Sequence, residues 1–424
     1  MQDWDGGETL RQAAFGLGWW LVSWWSAGGT LWLVCLGVEL LVARGGLRHV
    51  RRLSATSAEP GRGPYAWPTV AVVVAARNEQ ATVGAAVGSI LACDYPRLRV
   101  VAVDDRSTDH TGDILERLAA EDQRLTVIRV RDLPTGWLGK NHALHLAAAT
   151  VDSEWLLFTD ADVRFAPGAL RRALVLCELE SLEHLTAVPA LLASGVWLRL
   201  FLAWYALVLT LWLRPWHAPR RDRRVSVGVG AFNLVRRTAY LGVGGHAALP
   251  LAVADDIVLG RLLKAAGYRQ MMVMAGGRML DRRGAPQLQL QWYPDVIAAV
   301  RGLEKNAFAM FDYRAAPLLL TAVGVTAITL GPWVGAVLAP GWHRLPWMAA
   351  AVLSSASLWA AGQEMMDNFP WWLSVLYPLA QLLLTWAALR SAWLTLIRGG
   401  VRWRDTFYPL RDLKAARGAR SRLR

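Results

Sequence analysis

The stretch "RVVAVDDRSTDHTGDILERLAAEDQRLTVIRV", residues 99–130, contains a complete strand–helix–strand unit. Residues 99–105 form an apolar, valine-rich run that is typical of a strand, and residues 125–130 form a second one. Between them, residues 110–122 carry apolar and charged side chains at helical spacing. Because a helix that joins two neighbouring strands makes a crossover connection, this unit predicts a parallel sheet covered by helices.

The same alternation continues on both sides of this unit. Upstream, residues 69–77 are predicted to form a strand and Glu79 to Leu91 a helix. Downstream, residues 140–150 are predicted to form a helix, and "EWLLFTDADVRF" (154–165) begins as an apolar strand and ends on two acids. We therefore predict an α/β, Rossmann-like fold with a mostly parallel sheet and helices on both faces. Ligands of such sheets lie beyond the carboxyl ends of the strands.

The composition points to a membrane protein. Of 424 residues, 54% are hydrophobic, and the formal net charge is +13. Arginines cluster at residues 44–52 and 398–404, next to apolar segments, which favours an anionic membrane surface over nucleic acid as the reason for the charge. The three cysteines are widely separated, so the sequence indicates neither a disulfide nor a zinc site.

The apolar segments divide the chain into five parts. We predict an N-terminal transmembrane anchor with a basic juxtamembrane segment (1–53, spanning from Trp19 to Val42) and a linker (54–68). A catalytic domain (69–313), C-terminal transmembrane helices (314–398) and a basic cytoplasmic tail (399–424) follow. In the C-terminal part, Pro317 to Pro340 and Trp371 to Ile397 are long enough to span, and Leu345 to Ala361 is borderline.

Acidic or charged side chains follow three of the predicted strands. They are Arg77-Asn78-Glu79, Asp104-Asp105 and Asp160-Ala161-Asp162. Two carboxylates with one residue between them can face one divalent cation, and hard oxygen ligands suit Mg²⁺ or Mn²⁺. By itself such a pair is more often a solvated turn, but two acidic strand ends at one sheet edge repel each other unless a cation or donors lie between them.

The ordered set of motifs resembles family 2 glycosyltransferases. It comprises "VAVVVAARNEQATVGAAVGSILACDYPRLRVVAVDDRSTDHTGDIL", "LPTGWLGKNHALHLAAA", "FTDADV" and "ADDIVLGRLLKAAGYR" (254–269). The resemblance implies a GT-A fold, a nucleotide-diphosphate sugar as donor and a divalent metal. The membrane segments on either side resemble the membrane-bound, lipid-glycosylating branch, and so do the motifs "GLEKNAFAMFDY" (302–313) and "RWRDTFYPL" (402–410). Hopanoid-associated and carotenoid glycosyltransferases belong to that branch, and ceramide glucosyltransferase is a more distant relative.

The resemblance also implies roles for individual residues. Ala76, Arg77 and Glu79 match the loop around the uridine, and Asp104 and Asp105 the acidic pair that accepts a hydrogen bond from the base. Asp160, Ala161 and Asp162 match the D-x-D motif, with Asp160 and Asp162 as metal ligands. Asp256 matches the catalytic base, and Asp255 stands beside it where glutamate is common. Lys140 opens a helix, where a phosphate is favoured by the helix dipole and free N–H groups.

Each of these residues also has a purely structural interpretation. Asp105 could belong to a turn or cap, Lys140 could be a solvated helix lysine, and Asp256 could be an N-cap. His246 is best interpreted as an ordinary loop histidine. Residues 288–292, "LQLQW", lack the Q-x-x-R-W pattern of processive synthases, which favours a single transfer to a lipid. A processive polysaccharide synthase and a catalytically silent membrane scaffold remain the alternatives.

These expectations also constrain the topology. Asp162 and Asp256 belong to one site only if they lie on the same side of the membrane. The apolar segment 196–214 between them is therefore predicted to lie in the interface or to pack against other apolar segments, not to cross alone. We predict a multi-pass protein of the inner (plasma) membrane with its catalytic domain in the cytoplasm. Three C-terminal crossings would put the basic tail outside, so we expect either that Leu345 to Ala361 does not span or that one of its neighbours re-enters.

Overall fold

The central element of the computed structural model is a seven-stranded sheet. The structure describes residues 25, 27–42, 45–46, 49–56, 67–221, 225–276, 285–366, 369–403 and 406–421. The strands of the sheet are β1 (Val70–Ala76), β2 (Leu98–Asp105), β3 (Leu125–Val130), β4 (Trp155–Asp160), β6 (His184–Val188), β8 (Asn233–Arg236) and β9 (Gln270–Met274). A small second sheet contains β5 (Val163–Phe165), β7 (Ala190–Leu191) and β10 (Leu288–Leu290).

The strand order of the large sheet is β3-β2-β1-β4-β8-β6-β9. β1, β2, β3 and β4 run parallel, and β6 is parallel to β9, while β8 is antiparallel to both of its neighbours. The predicted mostly parallel α/β fold is therefore confirmed. Its three predicted strands and the apolar strand before Asp160 all form within one residue or two of their expected bounds.

Helices cover both faces of this sheet. They are α2 (Val83–Leu91), α3 (Thr111–Glu121), α4 (Gly139–Ala149), α5 (Ala169–Leu179), α7 (Arg237–Gly242) and α8 (Asp255–Ala265). Alternate residues of β1 enter two different cores: Val72 packs with α2 and α5, whereas Val73 packs with α4 and α8. A strand buried on both faces loses the apolar–polar alternation, which explains the continuous run of valine and alanine in β1.

The remaining helices are mainly apolar. They are α1 (Ala27–Val42), α6 (Val196–Leu213), α9 (Val296–Met310), α10 (Ala315–Leu338), α11 (Leu345–Met365), α12 (Trp371–Ser374) and α13 (Tyr377–Arg398). In the described part of the chain, α6, α10, α11 and α13 are each long and apolar enough to cross a membrane. On α10, Leu320 and Val337 remain 76% and 77% exposed, as expected for side chains that face lipid.

Two predicted spans differ from the observed helices. Leu345 to Ala361, borderline in the sequence, lies within a helix of full spanning length. Trp371 to Ile397 is divided into α12 and α13, because Pro378 occupies the first turn of α13, and a proline ring clashes with any turn that precedes it. In the predicted N-terminal span, residues 19–24 and 26 lie outside the described residues, as do residues 57–66 of the predicted linker.

Helix α6 begins and ends beside the two sheets. It follows β7 and precedes β8, and it packs against α11 and α13. It is apolar enough to span, but both of its flanking strands belong to the sheets of the same domain. Its placement in the membrane interface stays a prediction.

The C-terminal segment has more structure than a basic tail. Residues after α13 form the antiparallel hairpin β11 (Gly400–Trp403) and β12 (Thr406–Pro409), followed by α14 (Leu410–Ser421). Val401 and Tyr408 share an apolar cluster with Leu138, which immediately precedes α4. The segment predicted as a tail therefore folds back onto the domain.

Candidate active site at the carboxyl edge of the sheet

The parallel strands β1, β2 and β4 end at one edge of the sheet, beside a cavity of about 2210 Å³. Ten of the residues singled out in the sequence line this cavity: Ala76, Arg77, Glu79, Asp105, Lys140, Asp160, Ala161, Asp162, Asp255 and Asp256. Residues that are up to 180 positions apart in the chain are thus brought to one place. Their individual roles stay predictions.

Asp104 faces away from this cavity. Its Oδ1 accepts a hydrogen bond from the backbone N–H of Ser107 at 3.1 Å, and its Oδ2 lies where a Cβ on Gly112 would be only 2.6 Å away. The two carboxylates of the pair alternate across the strand, so only Asp105 points to the cavity. Asp104 shapes the loop after β2, and the structure does not place it with the other candidate residues.

Asp105 is held by its neighbour and by α4. Its two carboxylate oxygens accept from Arg106 at 2.8 and 3.1 Å, and its side chain is buried. A Cβ on Gly139 would overlap Asp105 Oδ2, so only glycine lets the first turn of α4 approach this carboxylate. The capping alternative is not observed, because it is Asp109 that accepts from the N–H of Thr111, the first residue of α3.

Two loops at the rim are tied to each other. The N–H groups of Asn78 and Glu79 donate to Ser107 Oγ at 3.0 Å and to Thr111 Oγ1 at 2.7 Å. The Asn78 side chain in turn accepts from the N–H of Thr108 at 2.8 Å. Asn78 has a φ of 54°, a conformation that asparagine tolerates better than most residues. The loop after β1, which carries Arg77, is therefore fixed to the loop after β2.

Lys140 connects the acidic groups. Its Nζ lies 2.6 Å from Asp160 Oδ1 and 3.7 Å from Asp255 Oδ1. Although burial disfavours its charge, Asp160, Asp255 and Asp256 raise the pKa of Lys140 well above its usual range. The lysine is thus a permanent cation in the first turn of α4, at the positive end of that helix. It is not a solvated helix lysine.

Asp162 has an unsatisfied oxygen. Its Oδ1 is buried and has no hydrogen-bond partner among the described residues. Burial raises the pKa of Asp162 to about 7, and the nearby charges of Asp160 and Glu79 add to this effect. An orphaned carboxylate oxygen that faces a second carboxylate fits a divalent cation. Among the described residues no group of three or more histidine, cysteine, aspartate and glutamate side chains converges, so the protein would supply only part of the coordination shell.

Gly230 lies between the two ends of the acidic cluster. A Cβ on this residue would be 3.0 Å from Asp160 Oδ2, 3.5 Å from Lys140 Nζ and 3.6 Å from Asp256 Oδ2. Asp160 and Asp256 therefore share one site despite the apolar helix α6 between them in the chain. Gly230 could not be predicted as a site residue, because nothing in its local sequence shows what surrounds it.

Asp256 lies in the first turn of α8 but does not cap it. The N-cap is Ala254, and the first two helical residues are Asp255 and Asp256. The N–H of Ile257 donates to Asp256 Oδ1 at 2.8 Å. Burial, followed by the negative charge of Asp255, raises the pKa of Asp256 to about 6. A carboxylate of this basicity is suited to accept a proton near neutral pH.

His246 is a second residue whose surroundings the sequence did not show. It is buried, its Nδ1 lies 2.9 Å from the Tyr240 hydroxyl, and its Nε2 lies 3.8 Å from Asp255 Oδ2. Despite burial, Lys140 and His246 hold the pKa of Asp255 below its usual range. The sequence signal near it is the glycine pair Gly244-Gly245, and both glycines have positive φ angles in the turn before His246. Asp255 and Asp256 thus have opposite pKa shifts, as expected for different roles.

The loop before β8 fixes α8 through backbone contacts. A Cβ on Gly228 would overlap the backbone oxygen of Asp256, and one on Gly260 would overlap that of Val227. The buried Gln270 side chain bridges both elements: its Oε1 accepts from Val227 N at 3.2 Å and its Nε2 donates to the Gly260 oxygen. This contact sets the position of Asp256 relative to Gly230.

We expect Gly228→Ala to reduce the activity of the site at least tenfold and to lower stability by about 1–3 kcal/mol, because the added methyl displaces α8 at Asp256. Thermal unfolding measures the stability, and the rate of the reaction at this site measures the activity. Gly88→Ala in α2 is the matched control, since a Cβ there meets nothing within 4 Å. Equal stability and activity of the two variants would show that the contact between the loop and α8 is not required.

The other end of the cavity is apolar. Leu207 and Leu211 of α6, Leu353 and Trp359 of α11, and Leu41 of α1 line it. Between this part and the acids, Tyr205 packs against Trp292 at 5.8 Å between ring centroids. One continuous space therefore joins the charged sheet edge to the apolar helices.

Comparisons with known proteins show which sequence family this chain resembles. The sequence profile described as "Glycosyltransferase like family 2" matches residues 68–279. Beta-monoglucosyldiacylglycerol synthase of Synechocystis sp. is 32% identical over 163 residues, which cover 36% of this chain and 34% of the relative. The 4,4'-diaponeurosporenoate glycosyltransferase of Staphylococcus aureus is 24% identical over 194 residues, 45% of this chain and 50% of the relative.

The chain thus spans about a third to a half of the length of these curated relatives. Among solved structures, a mannosyltransferase from Pyrobaculum calidifontis in complex with GDP-Man and Mn²⁺ has a TM-score of 0.46 and 18% identity. That match covers 87% of this chain and 99% of the other.

Proposed function

The chain belongs to the glycosyltransferase like family 2, and from this premise we propose that it is a membrane-bound, inverting glycosyltransferase. It transfers one sugar from a nucleotide-diphosphate sugar, a UDP-sugar, to a membrane lipid. The acceptor is of the hopanoid, carotenoid, glycerolipid or sphingolipid class. The observation that carries this proposal is the single cavity that joins the acidic cluster to the apolar faces of α6 and α11.

The donor binds at the sheet edge. Asp105 and the loop of Ala76, Arg77 and Glu79 surround the nucleoside, and Lys140 contacts the diphosphate from the first turn of α4. Asp160 and Asp162 would hold a divalent cation, Mg²⁺ or Mn²⁺, which supplies charge neutralisation for the departing diphosphate. The Oδ1 of Asp162, which has no partner in the part of the chain that the structure describes, supports this assignment.

Asp256 takes the proton of the acceptor. As the lipid hydroxyl oxygen attacks the anomeric carbon, its O–H bond breaks and the proton passes to the Asp256 carboxylate. The bond between the anomeric carbon and the diphosphate oxygen breaks at the same time, and the electron pair leaves with the nucleoside diphosphate. Asp255, paired with Lys140 and close to His246, keeps its own charge, which preserves the basicity of Asp256.

The lipid enters from the side of the apolar helices. Its tail lies along α6 and α11, and its hydroxyl passes Tyr205 and Trp292 on the way to Asp256. The apolar lining suits a lipid and not the soluble donor, because a nucleotide-sugar offers little apolar surface to bury.

The contacts of helices α10 to α13 support a topology in which the start of α10 and the end of α13 both lie on the membrane side of the catalytic domain, called the catalytic side here. Arg52, which forms a bridge with Met274 at the sheet edge, pairs with Glu364 at the end of α11. Tyr377 at the start of α13 instead lies 6.3 Å from Trp333 near the far end of α10. In this arrangement α10 crosses the membrane away from the catalytic side and α11 crosses back. The segment α12–α13 then enters the membrane and returns to the same side, so the tail stays cytoplasmic in a multi-pass protein of the inner membrane.

A panel of UDP-sugars tests the proposal. Purified full-length protein in detergent, supplied with Mn²⁺ or Mg²⁺ and total lipid extract, is expected to release UDP only when both a suitable UDP-sugar and lipid are present. Mass spectrometry of the lipids should show one added hexose. Release of UDP with no glycosylated lipid, or products with many sugars, would contradict single transfer to a lipid.

A further inference from the structure

Two motifs from the sequence have no role in the chemistry above, namely residues 302–313 and 402–410. In the structure they lie together, on α9 and on the C-terminal hairpin β11–β12. Lys305 Nζ lies 4.1 Å from the centroid of the Trp403 ring, and Phe308 shares an apolar cluster with Tyr408. The two motifs therefore form one unit, which is located where α13 returns to the catalytic domain.

The return of the hairpin is built into the backbone. Gly399 ends α13 with a φ of 67°, and its carbonyl accepts from the N–H of Leu410 at 2.8 Å, which closes the base of the hairpin. A Cβ on Gly400 would overlap the backbone oxygen of Tyr408, so the strands can pair this closely only with glycine at that position. Gly399 and Gly400 thus fix the direction in which the chain continues after α13.

The hairpin reaches the predicted donor end of the cavity. Trp403 and Tyr408 line the same space as Asp105 and Lys140. Tyr408 is buried against Leu138 and contacts Gly139, the residue before Lys140. On the same strand, Phe407 points the other way and is 48% exposed. The side chains of β12 therefore alternate between the cavity and the outside, as strand geometry requires.

We propose that the C-terminal hairpin is part of the donor-binding site. Trp403 and Tyr408 contact the nucleoside diphosphate of the donor, and Tyr408 also holds the turn from Leu138 to Lys140. A planar base and an anionic diphosphate fit aromatic side chains beside the ammonium groups of Lys305 and Lys140. This inference rests on the proposed function and extends it to residues about 300 positions after the sheet edge.

Binding of nucleoside diphosphates to the full-length protein tests the inference. Isothermal titration in detergent with UDP and Mn²⁺ is expected to give a Kd at least tenfold higher for Trp403→Leu and Tyr408→Leu than for the wild type. Phe407→Leu, on the outer side of the same strand, is the matched control and should bind like the wild type. If Tyr408→Leu unfolds, Tyr408→Phe takes its place. Phenylalanine keeps the packing on Leu138 and removes only the hydroxyl, so this variant is expected to fold.

Amide hydrogen exchange provides a second readout that needs no variant. UDP with Mn²⁺ should slow exchange in residues 400–403 and 406–409 together with residues 138–141. If the wild type binds UDP and the Trp403 and Tyr408 variants bind it with the same Kd, this inference is wrong but the proposed function is not. The same holds if the wild type binds UDP without protection of the hairpin. If the wild type binds none of UDP, GDP, ADP and dTDP, the proposed function fails as well.

Discussion

Replacing Asp256 with asparagine is expected to lower the rate of sugar transfer by about 10²–10⁴-fold, the usual contribution of a general base. The asparagine side chain has the same shape but cannot accept the proton of the acceptor hydroxyl. Donor binding should survive, because Asp105, Lys140 and Asp160 are unchanged. Transfer to lipid and titration with UDP, measured on the same preparation, separate the two effects.

The dependence of the rate on pH distinguishes a base from a residue with a structural role. Because burial and Asp255 raise the pKa of Asp256 to about 6, kcat/KM of the wild type should fall as the pH drops through this value and the carboxylate becomes protonated. The residual activity of Asp256→Asn should lack this acid limb. Asp152→Asn, at a carboxylate that is 93% exposed, is the control and should retain full activity. Full activity of Asp256→Asn would remove this residue from the mechanism.

Replacing Asp162 with asparagine should abolish the response of donor binding to divalent cations. The substitution keeps the volume but removes the charge of the carboxylate whose Oδ1 has no partner among the described residues. We expect at least a hundredfold loss of transfer and a UDP affinity that is the same with Mn²⁺ and with EDTA. Titration of UDP under both conditions measures this directly.

The stability of the Asp162→Asn variant should not fall. Burial and the charges of Asp160 and Glu79 disfavour ionisation of Asp162 in the protein without a cation, so a neutral amide relieves that repulsion. A thermal unfolding temperature at or above that of the wild type is therefore expected in EDTA. A variant that still binds UDP more tightly with Mn²⁺ would place the cation on other residues.

Much of the fold and part of the site could be predicted from the sequence, because their signals are local. The valine run of β1 and the spacing of α3 depend on neighbours a few residues away. Parallel strands bring their carboxyl ends together, so the positions of Asp105 and Asp160 followed from the strand assignments alone.

The remainder depends on contacts between distant segments. Gly230 belongs to the site only because Asp160, Lys140 and Asp256 surround it. His246 belongs to it only because it lies beside Asp255. The direction of the Asp104 side chain follows from the register of β2, which the local sequence left open. Helices α12 and α13 are predicted as one span, since apolar composition is continuous across the break that precedes Pro378.

The continuous cavity has a consequence for the kinetics of the enzyme. In the proposed reaction the nucleotide-sugar arrives from water, whereas the lipid acceptor stays within a two-dimensional film and meets the protein by lateral diffusion. The relevant acceptor concentration is then its mole fraction in that film, and the number of molecules per litre has little meaning. Dilution of the acceptor with inert lipid slows the reaction even when the total amount of acceptor in the tube is unchanged.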